Sequence, residues 1–200
     1  MNKKLKRVLQ GLLFIIIIIG FIYIGTRDFN QEVVVDNERF DQDYINVSKD
    51  NVFKYVNAGE VYAKLKGNAI IFMGYPANIW SGYYANILNE AAKDTGIDEI
   101  LYYDFYEDRE NHNATYQSIV LNLSSYLVTL DDGTQELYAP TLVIVKNGKI
   151  LAFDNETAFT TGNITPEDYW NEYQTGIKYN VFKTMFEDYL EWNGFYYLLL

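Results

Sequence analysis

The chain has 200 residues, a formal net charge of −11, one histidine and no cysteine. That composition excludes disulfides, thiolate nucleophiles, iron–sulfur clusters, cysteine-held zinc and histidine-rich metal sites. At 49% hydrophobic and 17% aromatic it can bury a core, and its acidity excludes a nucleic-acid interface built on phosphate contacts. The first stretch, MNKKLKRVLQGLLFIIIIIGFIYIGT, sets a basic head before an apolar run. As a helix, Val8 to Gly25 covers about 27 Å, enough for a bilayer core. Lys3, Lys4, Lys6 and Arg7 precede it, which predicts a cytoplasmic N-terminus and an extracellular remainder. Signal-peptide cleavage needs small residues at −3 and −1. Cutting after Gly25 puts Tyr23 at −3, and cutting after Gly20 puts Ile18 there. Residues 1–25 therefore read as an uncleaved, single-pass signal anchor in the cell membrane. Residues 26–50 are polar apart from Val33–Val35 and read as an extracytoplasmic tether. Residues 51–200 read as one domain.

Within that domain NVFKYV suggests a short strand. NAGEVYAKLKG suggests a helix with Asn57 at the N-cap, Glu60 completing a capping box, and Gly67 at its end. NAIIFMG is a continuous apolar run, as expected of a buried central strand. GYPANIWSGY turns from that strand into a helix, on which Tyr84, Ile87, Leu88 and Ala91 share a face and Gly96 is the stop. IDEILYYDF is a further strand, and NATYQSIVLNLSSYL is helical. TLVIVKNGKILAF is a hairpin turning at Asn147-Gly148. NVFKTMFEDYLEWNG places Val181, Phe182, Met185, Phe186, Tyr189 and Leu190 on one face of a last helix. The order β-α-β-α-β-α-β-β-α predicts an α/β fold with a mixed sheet and helices on both faces.

Two segments carry a resemblance. YPANIWS, directly after the second strand, resembles the proline–x–Cys–x–Trp–Cys corner of exported thioredoxin-like proteins. YAPTLVIVKNGKI resembles their cis-proline segment. From about Asn51 to the last helix the chain is similar to the thioredoxin-like proteins of Gram-positive bacteria labelled bacteriocin-transport accessory proteins. The resemblance implies a thioredoxin-like fold, a cis bond before Pro140, and partner contact through Trp80, Ile79, Ala139 and Pro140. It also implies that two cysteines belong where Asn78 and Ser81 stand. The first thiol of such a pair is activated at a helix N-terminus, and the second resolves a mixed disulfide. An amide and a hydroxyl do neither, so the expectation is a non-enzyme without cofactor or metal.

Asn78 is a good N-cap residue, and Asn78 with Ser81 is read either as a cap alone or as part of a binding edge. Trp80 is expected at the rim, either as an interface anchor or packed on neighbouring loops. The backbone of Ala139 is expected to be open to an extended peptide. A Ser81–His112 hydrolase lacks any supporting motif. The carboxylates of YYDFYEDRE lack calcium-loop spacing and read as a solvated acidic face. The 19 tyrosines are spread through every element and read as core edges. The functional expectation is a redox-inactive protein that binds an exported peptide, an exported protein or a membrane partner at the former active-site corner. The alternatives are a non-catalytic subunit of a thiol–disulfide system and a structural part of an export or envelope assembly. In the last of these, the apolar C-terminal WNGFYYLLL packs on the core or on a partner.

Overall fold

The computed structural model describes residues 36–44, 46–155 and 164–191. The predicted membrane anchor, the Val33–Val35 run and the C-terminal WNGFYYLLL lie outside these residues. Among the described residues no helix is long and apolar enough to cross a membrane.

Five strands form the main sheet: β1 (Phe53–Tyr55), β2 (Ala69–Gly74), β3 (Ile100–Asp104), β6 (Thr141–Lys146) and β7 (Lys149–Asp154). Their order is β1-β3-β2-β6-β7. β1 and β2 pair parallel with β3, while β6 runs antiparallel to both β2 and β7. The helices are α1 (Asp36–Asp43), α2 (Ala58–Lys64), α3 (Ile79–Thr95), α4 (Tyr106–Glu110), α5 (Ala114–Leu123), α6 (Pro166–Tyr169) and α7 (Glu172–Glu191). A small hairpin, β4 (Val128–Thr129) with β5 (Gln135–Glu136), precedes β6. This is an α/β fold with a mixed central sheet and flanking helices. The α1 helix, α4, α6 and the β4–β5 hairpin add to the predicted order.

The central strand β2 is buried along its whole length because both faces of the sheet are covered. Side chains alternate along a strand. Ile70 and Phe72 therefore enter one core with Tyr102, Leu142 and Ile144, against Tyr84 and Leu88 of α3 and Phe182 and Phe186 of α7. Ile71 and Met73 enter the other with Leu101, Tyr103, Val143 and Val145, against Val61 of α2 and Ile119 of α5. The apolar run that hides strand periodicity in the sequence is this two-sided burial.

Several local signals act as read. Asn57 caps α2, and the reciprocal bond from its own backbone to Glu60 completes the capping box. Gly96 takes the left-handed conformation that ends α3, with φ +79°. Asn147 and Gly148 both have positive φ, 52° and 70°, as a two-residue hairpin turn requires. Gly67 does not act as the expected stop. The α2 helix ends with Leu65 in the right-handed region, and the Gly67 carbonyl accepts from the Gly148 N–H at 2.8 Å. The last helix begins at Glu172, well before the predicted apolar face. There the side chain of Asn171 accepts from the Gln174 N–H at 3.1 Å, as an N-cap does. On its predicted face Phe182 and Phe186 are fully buried, Met185 and Tyr189 pack partly on the core, and Leu190 is exposed.

The tether reading of residues 26–50 needs correction over its described part. The α1 helix and the loop after it bring Phe40, Tyr44 and Val47 into the first core. Phe40 stacks on Phe53 with ring centroids 4.0 Å apart. The Tyr44 and Tyr102 hydroxyls bond at 2.8 Å. Only Phe40 lies on the helix, and Tyr44 and Val47 follow in the loop, so the surrounding acids and amides conceal three isolated core residues. With Phe40 wholly excluded from solvent, Phe40→Ala is expected to cost about 3–5 kcal/mol in urea unfolding. A passive tether residue would change nothing.

Candidate functional site

The corner stands at the C-terminal end of β2, the end at which open α/β sheets place their ligands. Gly74 closes the strand, Tyr75 to Ala77 turn, and Asn78 starts α3. The side chain of Asn78 is engaged at both ends. Its Oδ1 accepts from the Ser81 N–H at 3.1 Å and lies 3.4 Å from the donating Ser81 hydroxyl. Its Nδ2 donates to the Ala139 carbonyl at 3.2 Å. The Ala139–Pro140 bond is cis, as the resemblance implies. Met73 on β2 is the register partner of Thr141, which brings the proline segment beside the corner. The Thr141 hydroxyl donates to the Tyr138 carbonyl at 2.6 Å and fixes the approach to that segment.

Ser81 is completely buried, under the corner and against the backbone of Gly74. A Cβ added at Gly74 would stand 2.9 Å from the Ser81 Oγ and 3.1 Å from Phe72 Cζ, so a larger residue there would force its neighbours to shift. Asn78 and Ser81 thus form a polar pair with no thiol, beside the Tyr44 hydroxyl. No hydrogen bond joins Ser81 to the exposed His112 among the described residues.

The four expected contact residues behave differently from one another. Ile79 is 68% exposed, the most accessible large side chain of the corner. Trp80 is half-buried, packs on the first core and meets Tyr169 edge-on at 5.4 Å. Trp80 thus packs on the neighbouring α6 while part of it stays at the rim, and Ile79 is the more exposed of the two. Ala139 is half-buried and Pro140 is buried. The Ala139 carbonyl, expected to be open, already holds the Asn78 amide. The proline edge and the start of α3 are brought together, as the resemblance implies.

Beside Ile79 lies a hollow of about 250 Å³. Pro76, Asn78, Ile79 and Gly82 line it from the corner, with Asp43, Tyr44 and Asn46 from the end of α1 and the following loop. The α1 segment is thus a wall of the site as well as part of the core. Burial pushes the Tyr44 and Tyr102 phenols far above the ordinary tyrosine range, so their hydroxyls stay protonated. Asp43 accepts a close hydrogen bond from Tyr55.

Sequence reading missed two groups near the corner. Tyr75 packs edge-on against Phe105 at 5.5 Å and on Tyr106 at 5.2 Å, and the Arg109 guanidinium lies 5.3 Å from the Tyr75 ring centre. The segment read only as an acidic face therefore supplies an aromatic and cationic flank. The second group is buried. The Lys178 ammonium pairs with the Asp154 carboxylate at 2.9 Å, and the Tyr84 hydroxyl donates to the same carboxylate at 2.6 Å. Asp154 is the register partner of Leu142, which sets this triad at the corner's end of the sheet. Trp170, which packs against Tyr84 and Tyr169, has a buried indole N–H with no hydrogen-bond partner among the described residues. The triad ties β7, α3 and α7 together beneath Trp80.

No protein-family model matches the chain, and no curated protein matches it at a significant level. What stands is an α/β domain with a mixed five-strand sheet and no cysteine.

Proposed function

We propose that this is a thioredoxin-like protein without thiol chemistry, working as a binding protein outside the cell membrane. Val8 to Gly25 anchor it, and the domain takes an extended segment of an exported peptide, an exported protein or a membrane partner. The contact surface is the corner of Asn78, Ile79 and Trp80 with the Ala139–Pro140 edge. The observation that carries this reading is Ile79. An aliphatic side chain 68% exposed, lining the hollow and next in the chain to the Asn78 that holds Ala139, supports contact with another chain. The Tyr75–Arg109 flank extends the same rim with residue types enriched at interfaces. The helix-capping Asn78–Ser81 pair supports a corner kept for shape while its reaction is gone.

Ile79→Asp combined with Ala139→Asp sets two charges on that rim. Captured from cells as the full chain, the double variant is expected to lose at least about tenfold of its partner, as loss of a central apolar contact and a buried charge would give. Undiminished capture by a folded double variant would place the interface elsewhere.

A further inference from the structure

The Asn78 amide spends both its functions on intramolecular bonds. Its oxygen caps α3 through Ser81, and its nitrogen holds the carbonyl of Ala139, 61 residues away in the chain. An extended segment that adds to this edge addresses the N–H and C=O of the same backbone. Among the described residues the Ala139 N–H makes no hydrogen bond, so one half of that edge is open and the other half is occupied. A side-chain amide at 3.2 Å also fills space against the carbonyl that an incoming chain would need.

We infer that Asn78 is a latch on the peptide-binding edge, a positioning residue that sets how strongly the corner takes its partner. This rests on the binding function proposed above. In the resting protein Asn78 Nδ2 donates to Ala139 and holds the edge against α3. A partner's N–H displaces it, and Nδ2 turns to solvent while Oδ1 keeps its bond to the Ser81 N–H, so the helix cap survives the exchange. The latch lowers the affinity for any extended chain by the worth of one hydrogen bond, a few-fold to about tenfold. It thereby rejects segments that offer backbone pairing alone and admits those that also fill the hollow beside Ile79.

Two substitutions remove the latch and spare the cap. Asn78→Asp keeps a capping oxygen suited to the helix dipole, but an ionised carboxylate has no proton to donate. Asn78→Ser also caps, and its side chain is too short to hold Ala139 as well. Each is placed in the full chain with a photo-reactive residue at Ile79, and the adduct yield is measured in intact cells. Thermal melts by circular dichroism check that both variants fold. Both are expected to raise the yield of the Ile79 adduct about two- to tenfold. A tie that only stiffens the corner predicts the opposite sign, a lower yield from a loosened site. An adduct in the wild type that is unchanged or weaker in the variants overturns the latch and leaves the binding reading standing. No adduct in the wild type or either variant overturns both.

Discussion

Lys178→Met is expected to destabilise the domain by about 3–5 kcal/mol, the cost of breaking a buried ion pair from one side. Lys178 is only 3% exposed, and the Asp154 side chain is 13% exposed. Methionine restores the length of the lysine stem but leaves the Asp154 carboxylate inside with its cation gone. The Tyr84 hydroxyl still donates to it, which does not neutralise the charge. Replacing both partners, Lys178→Met with Asp154→Leu, removes the stranded charge and is expected to recover a large part of the loss. Urea unfolding of the wild type and the two variants gives the comparison. Single and double variants equally destabilised would mean that the pair matters through shape and not charge. The consequence reaches the site, because Tyr84 lies one helical turn beyond Trp80 and the triad fixes α7 beneath the corner.

Asn78→Cys with Ser81→Cys is expected to give this chain the thiol–disulfide exchange that it lacks. The wild type has no cysteine, so its rate in an insulin-reduction assay is the background. Cysteine at position 78 would sit at the N-cap of a 17-residue helix, where the dipole and free N–H groups stabilise a thiolate. Position 81 is fully buried one turn on, suited to a resolving thiol that small reagents do not reach. Side chains three apart on a helix are about 5–6 Å between Cβ atoms, so a modest tightening of the first turn closes the bond. The double variant is expected to exceed background at least about tenfold, with neither single variant turning over, because exchange needs both the attacking and the resolving sulfur. A double variant that folds but forms no internal disulfide would count against the thioredoxin-like reading of the corner.

Local chemistry was legible from the sequence. Asn57 with Glu60, Gly96, and Asn147-Gly148 act within a few residues of themselves, so short patterns disclose them. The order of strands and helices followed from apolar runs and caps of the same kind. Asn78 was readable as a cap for that reason. What it does with its other end was not, because Ala139 is 61 residues distant and meets it only through the pairing of β2 with β6. The Lys178–Asp154 pair is hidden in the same way, since neither residue is apolar and neither is near the other in the chain. Phe40, Tyr44 and Val47 are three apolar residues split between a short helix and a loop, and a polar neighbourhood outweighed them. Gly67 looked like Gly96 in sequence. It differs because the β6–β7 turn comes to its carbonyl and uses it in another role.

The corner as a recognition edge is tested most directly by photo-crosslinking in intact cells, with one probe at Ile79 and a control at Lys93. Both lie on α3 and are about 21 Å apart along its axis. Lys93 is turned towards Asp50, away from the corner's hollow. The expected result is a discrete adduct at Ile79 and none at Lys93, with mass spectrometry identifying the captured segment. Equal yields at the two positions, or none at either, would contradict the account and leave the corner as scaffold alone.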